Sequence, residues 1–156
     1  MNKQTAEHRV VILADDFTGA NDAGVSLAQA GMRVEVALDE SYISDAQARV
    51  FNTDSRALPA VEAAERVAAL TEKVLRQNAP DWLVKKMDST LRGNPGAEVA
   101  AIQQVAGAAA VIIAPAFPAA RRVTRNGQCY VDGVLLSETE FASDPKTPVN
   151  SADICE

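Results

Sequence analysis

Two adjacent carboxylates closing an apolar run are the first chemistry this sequence offers. The stretch VILADDFTGANDAG, residues 11–24, carries Asp15 and Asp16 ahead of a glycine-containing turn, with Asp22 beyond it. A carboxylate within hydrogen-bond reach of a hydroxyl can hold it, or take its proton as the oxygen attacks an electrophile. It can equally cap the helix that follows, but neighbouring side chains point in roughly opposite directions, so only one of the pair can cap. Asp22 is either a second ligand for a polyol or a surface acid. The densest polar cluster is KKMDSTLRGNPGAE, residues 85–98, where Lys86, Asp88, Ser89, Thr90 and Arg92 stand beside Gly93, Pro95 and Gly96. Arginine offers a carboxylate a planar fork and lysine a compact charge, which is what a hydroxy acid needs. The alternative is a solvated loop whose Ser and Thr serve as caps. Asn52-Thr53-Asp54-Ser55-Arg56 is a third polar stretch, and Arg121, Arg122 and Arg125 beside Asn126-Gly127 suit contact with an anion or with another domain.

The elements that must position these groups follow from the hydrophobic pattern. Apolar β-branched runs alternate with alanine-rich helical patterns, the sign of βα repetition and a largely parallel sheet. Strands are expected at His8–Ala14, Arg33–Leu38, Ala48–Asn52, Trp82–Lys86 and Ala108–Ala114, the last of a fully buried type. Helices are expected from Thr18 to Ala30 with Gly31 closing it, from Pro59 to Asn78, and from Pro95 to Gly107. The fold class is thus α/β, three layers α/β/α. After Pro115 the alternation stops, and Gln128–Val131, Asp132-Gly133 and Val134–Ser137 read as a hairpin. The tail ASDPKTPVNSADICE shows no packing pattern and stops abruptly after a helix start at Ser151-Ala-Asp, so a truncated chain is expected. In open α/β sheets ligands sit beyond the carboxyl ends of the strands, so the polar stretches after the first, third, fourth and fifth strands are expected on one rim.

Bulk properties narrow the chemistry. With 15 Lys+Arg against 21 Asp+Glu, the formal charge of −6 disfavours nucleic acid or an anionic membrane as the main partner. No apolar run approaches the roughly 20 residues of a bilayer span, and MNKQTAEHR has no apolar signal core, so a cytoplasmic protein is expected. Cys129, Cys155 and the single His8 give neither metal-ligand spacing nor a disulfide framework, and no metal site is expected. Neither the Walker pattern nor GxGxxG spacing occurs in RGNPGAE, so a nucleotide, if used, binds elsewhere.

Four motifs together, ADDFTGANDAG (14–24), NTDSR (52–56), KKMDSTLRGNPGAE (85–98) and APAFPAARRVTRNGQCYVDG (114–133), resemble the four-carbon acid sugar kinases. The resemblance implies an ATP-dependent kinase acting on threonate, erythronate or a 3-oxo-tetronate. Residues 1–140 would be its N-terminal sugar-acid-binding domain and residues 141–156 the start of a linker to a C-terminal domain that holds ATP and Mg2+. It further implies that Asp15 and Asp16 meet substrate hydroxyls, that Asp54 and Arg56 edge the pocket, and that Lys86, Asp88, Ser89 and Arg92 bind the acid. Asp16, one step further out than Asp15, is the expected base. Such a fragment alone would be inactive, and homo-oligomerisation is left open. Two other readings stand beside it: a non-catalytic α/β module that senses a small hydroxy acid, and an aldolase or phosphatase-like enzyme using the aspartate pair, disfavoured because contiguous DD replaces the usual DxD.

Overall fold

The computed structural model describes residues 9–38 and 45–155, so His8, expected at the head of the first strand, lies outside the described residues. Strands β1 (Val10–Ala14), β2 (Val34–Ala37), β3 (Ala48–Asn52) and β4 (Trp82–Lys86) form one sheet in the order β2-β3-β1-β4, and every pairing is parallel. Helix α1 (Phe17–Gln29) connects β1 to β2, α2 (Ala60–Asn78) connects β3 to β4, and α3 (Pro95–Ala106) follows β4.

Alternation along the strands decides the layering. Val11 and Leu13 of β1 join Phe51 of β3 in a core with Val67, Leu70 and Val74 of α2 and Ile102 of α3. Ile12 and Ala14 point the other way and join Val50 and Ala20, the latter from α1. The expected three-layer α/β/α architecture results. Gly24 brings α1 close to the sheet: a Cβ there would lie 2.9 Å from Val36 Cγ2.

Residues 108–114 are a correction. The chain leaves α3 through Gly107 in the left-handed region (φ 62°) and joins no ladder; Val111 is 43%, Ile112 93% and Ile113 51% exposed, and the sheet ends at β4. An apolar run satisfies the pattern of a buried strand, but a strand exists only where backbone N–H and C=O groups find partners. This run also opens on three alanines, which are poor strand formers.

A small antiparallel sheet follows, of β5 (Arg122–Arg125), β6 (Gln128–Val131) and β7 (Val134–Leu135) in that order. Asp132 (φ 51°) and Gly133 (φ 85°) make the expected turn. Asn126 (φ 51°) and Gly127 (φ 79°) make a second one, so the expected single hairpin is a three-stranded meander. The tail also differs from expectation: Val149 and Ala152 are buried against Cys129, Val131 and Leu136, and Cys129 N–H donates to the Ala152 carbonyl at 2.8 Å. Position 141 therefore begins a packed segment, because Phe141, Val149 and Ala152 supply the apolar cover that the short meander lacks.

Candidate functional site

Ala14 is in register with Asn52 on one side and Lys86 on the other, so three strands end level and their following residues share a rim. Alternation then splits each charged pair between the layers. Asp15 continues the face of Val11 and Leu13 and is 3% exposed, whereas Asp16 turns to α1 and accepts the Gly19 N–H at 2.9 Å as its N-cap. Lys85 follows Leu83 onto the α3 side. Lys86 lies by the start of α1, where a Cβ on Gly19 would be 3.4 Å from its Nζ.

The loop after β3 is sewn onto β1. Thr53 donates both its N–H and its hydroxyl to the Ala14 carbonyl at 2.8 Å, and the N–H groups of Ser55 and Arg56 donate to the Asp15 carbonyl at 3.1 and 3.2 Å. Arg56 is thereby aimed back at the aspartates. Its Nε donates to Asp15 Oδ2 at 2.7 Å and its Nη1 to Asp16 Oδ2 at 2.8 Å, while Nη2 lies 3.9 Å from Asp88 Oδ1. Burial disfavours the guanidinium charge, but the hydrogen bond to Asp15 and the charges of Asp15, Asp16 and Asp88 outweigh it and raise its pKa. Gly93 (φ 91°) allows the next loop to pass over this arginine, since a Cβ there would sit 3.2 Å from Arg56 Cγ.

A second ion pair underlies the first. Lys85 Nζ is 2.7 Å from Glu98 Oε2 and 3.8 Å from Asp15 Oδ1; Glu98 is fully buried, and its Oε1 accepts from the Ser55 hydroxyl at 2.7 Å. Buried charges of this kind persist only when paired. Sequence reasoning did not single out Lys85 or Glu98. The available signal was that Glu98 lies four residues before Ile102, on the same buried face of α3.

The loop after β4 closes the rim. Asp88 accepts from Arg92 Nε at 2.9 Å, from Arg92 Nη2 at 3.2 Å and from the Thr90 hydroxyl. Burial works against its charge, yet the bonds from Arg92 and Thr90 hold the carboxyl well below the usual carboxylate range. Arg92 Nη1 reaches Asp144 Oδ2 at 3.3 Å, and Asp144, bonded by the N–H groups of Thr147 and Lys146, is pulled down to about 2. Ser89 Oγ accepts from Arg122 Nη1 at 2.5 Å. The guanidinium groups of Arg92 and Arg122 lie 5.4 and 5.8 Å from the Phe141 ring centre.

The structure thus brings Asp15, Asp16, Arg56, Asp88 and Arg92 into one network, with Ser89 joined through Arg122. Lys86 donates to the Met87 carbonyl at 2.9 Å. Asp54 stays outside the network: it is exposed and takes a left-handed φ of 48°. Asp22 is exposed on α1, Arg121 pairs with Asp132 at 3.0 Å, and Arg125 is exposed. Burial raises the Cys129 thiol pKa, and Cys155 is exposed. Among the described residues no three His, Cys, Asp or Glu side chains converge as a metal site would require, and no helix is long and apolar enough to cross a membrane.

Such a rim, with cations and carboxylates interleaved, suits a small ligand carrying both hydroxyls and an acid group. Residues 10–156 match the model of a family described as the sugar-binding N-terminal domain. The chain is 48% identical over 150 residues to a D-threonate kinase of Salmonella typhimurium, covering 95% of this chain and 36% of the relative. It is 42% identical over 148 residues to a D-erythronate kinase of Heliobacterium modesticaldum, covering 90% and 33%. A solved structure from Bordetella bronchiseptica, described as a domain of unknown function with bound citrate and a domain-swapped dimer, superposes with a TM-score of 0.86 at 36% identity, covering 94% of this chain and 39% of that one. The chain therefore spans about a third of the length of these curated relatives.

Proposed function

The chain belongs to the sugar-binding N-terminal domain family, and we propose that it is the substrate-binding part of an ATP-dependent kinase for a four-carbon sugar acid: threonate, erythronate or 3-oxo-tetronate. The observation that carries this reading is the rim itself, where three strand-end loops bring Asp16, Arg56, Asp88 and Arg92 into one network. The names of the curated relatives support the substrate class, and a relative holding citrate supports an acid ligand.

Phosphoryl transfer asks little covalent chemistry of a protein; it asks for an oriented hydroxyl and a held anion. Asp16 is the reachable carboxylate, its side chain 26% exposed against 4% for Asp15, and it orients the attacking hydroxyl or takes its proton. Asp15 locks Arg56 in place. Lys86, Ser89 and Arg92 hold the acid, Asp88 fixes Arg92, and Asp54 edges the pocket from its exposed loop.

ATP with Mg2+ would supply the phosphoryl group. The glycine-bearing loop at 93–96 is turned onto Arg56, and Asn94 ties it to the Leu58 carbonyl at 2.8 Å, so this loop is not open to cradle a phosphate. We therefore assign the nucleotide to a C-terminal domain of the full-length protein, the partner of this one, and place the enzyme in the cytoplasm. Self-association is part of the same reading, on the example of the domain-swapped relative.

The test is ATP-dependent phosphorylation of each four-carbon acid by the full-length protein, read as ADP release and by phosphorus NMR of the product. Turnover with at least one acid is expected, falling about a hundredfold or more in Asp16→Asn. No turnover with any of them overturns the reading. Loss in Asp15→Asn with Asp16→Asn near wild type reverses the roles of the two aspartates.

A further inference from the structure

On the meander side of the rim, Arg122 is left without a counter-charge by the ion-pair network. Arg56 is matched by Asp15 and Asp16, Arg92 by Asp88 and Asp144, and Lys85 by Glu98. Arg122 has no ion-pair partner among the described residues: Nη1 donates to the Ser89 hydroxyl, and Nε is buried with no hydrogen-bond acceptor. A guanidinium N–H withdrawn from water without an acceptor is a cost that a ligand can remove.

The surrounding structure holds Arg122 in place. It opens β5 directly after Arg121, which is in the left-handed region at φ 56°. Its backbone N–H donates to the Phe117 carbonyl at 3.1 Å, and its own carbonyl accepts the Phe117 N–H at 2.8 Å. The guanidinium is flanked by the Phe141 ring and by Ser89, the residue next to Asp88. A planar cation flanked by an aromatic ring, with its Nε–H short of an acceptor, has the donor geometry that a carboxylate accepts.

We propose that Arg122 is a further substrate-binding residue, which takes the acid's carboxylate with the Ser89 hydroxyl, while the hydroxyl-bearing end of the substrate lies toward Asp16. This rests on the reading of the site as one for a hydroxy acid. It assigns the acid group to the meander side of the rim, and so makes Arg122, together with Lys86 and Arg92, a residue that separates acids from neutral polyols.

The test is calorimetric titration of the full-length protein with the four-carbon acid it phosphorylates and with the polyol in which a primary alcohol replaces that acid. For Arg122→Gln the expected result is acid affinity reduced roughly tenfold to a hundredfold, as befits loss of charge-assisted bonds, with polyol affinity unchanged. Arg122→Lys should recover part of the loss, and Arg125→Gln, on the exposed part of the same strand, should match wild type. Equal acid binding in Arg122→Gln and wild type overturns the proposal, as does a parallel loss of acid and polyol, which marks a purely structural role. Wild-type protein that binds neither compound overturns the hydroxy-acid reading and this proposal with it.

Discussion

Removing Arg56 leaves Asp15 with a buried charge and only the more distant Lys85 to answer it. Breaking a buried pair from one side typically costs about 3–5 kcal/mol, so Arg56→Ala should lower the unfolding free energy by about 3 kcal/mol in a urea titration, besides abolishing acid binding. Acid sensitivity has a definite sign at the same rim. Asp88 and Asp144 are held below their ordinary values in the folded protein, so the unfolded chain binds protons more readily. Their contribution is fully present above the unfolded carboxylate pKa of about 4, and is lost as pH falls toward about 2 at Asp144 and lower still at Asp88. Thermal melts from pH 5 to pH 2 should show a falling midpoint, and Asp144→Asn should flatten part of that slope. Most of these residues are legible in the sequence because charged groups after apolar strands are conspicuous. Glu98 is not, because a lone acid in an alanine-rich helix looks solvated until the fold sets Lys85 beside it.

At the scale of elements, the aspartate pair is explained by alternation: consecutive residues of β1 serve different layers, so one carboxylate is buried toward α3 and the other caps α1. This separates the structural from the chemical role of Asp16. Asn is as good a cap as Asp, whereas Ala costs about 1 kcal/mol; Asp16→Asn loses the charge that faces Arg56 but keeps the cap, so Asp16→Ala should lower the melting temperature further than Asp16→Asn, measured by calorimetry. Gly24→Ala should be destabilising, since the added methyl meets Val36 Cγ2 at 2.9 Å, with a cost of about 1–3 kcal/mol for overpacking. The parallel strands and three helices follow from periodicity, caps and breakers. The meander is less legible, because Asn126-Gly127 falls among arginines rather than between two clear apolar runs, although that dipeptide is a strong hairpin turn. The fifth strand expected at 108–114 fails for want of a backbone neighbour, a property that no local pattern encodes.

For the molecule as a whole, the contrast between Leu13, fully buried, and Ile112, 93% exposed, gives a further check. Leu13→Ala should cost about 2–5 kcal/mol, and Ile112→Ser should change stability of the 156-residue chain by less than about 0.5 kcal/mol, both read from denaturant midpoints. The central claim is that a sugar-acid site is preformed where the strand-end loops meet. It is tested most directly by the melting temperature of this chain with millimolar threonate, erythronate and 3-oxo-tetronate. A ligand at a hundred times its Kd stabilises by about 2.7 kcal/mol, so the account predicts a shift of several degrees with at least one acid, absent in Arg56→Ala. No shift with any of the three, or the same shift in Arg56→Ala as in wild type, would contradict it.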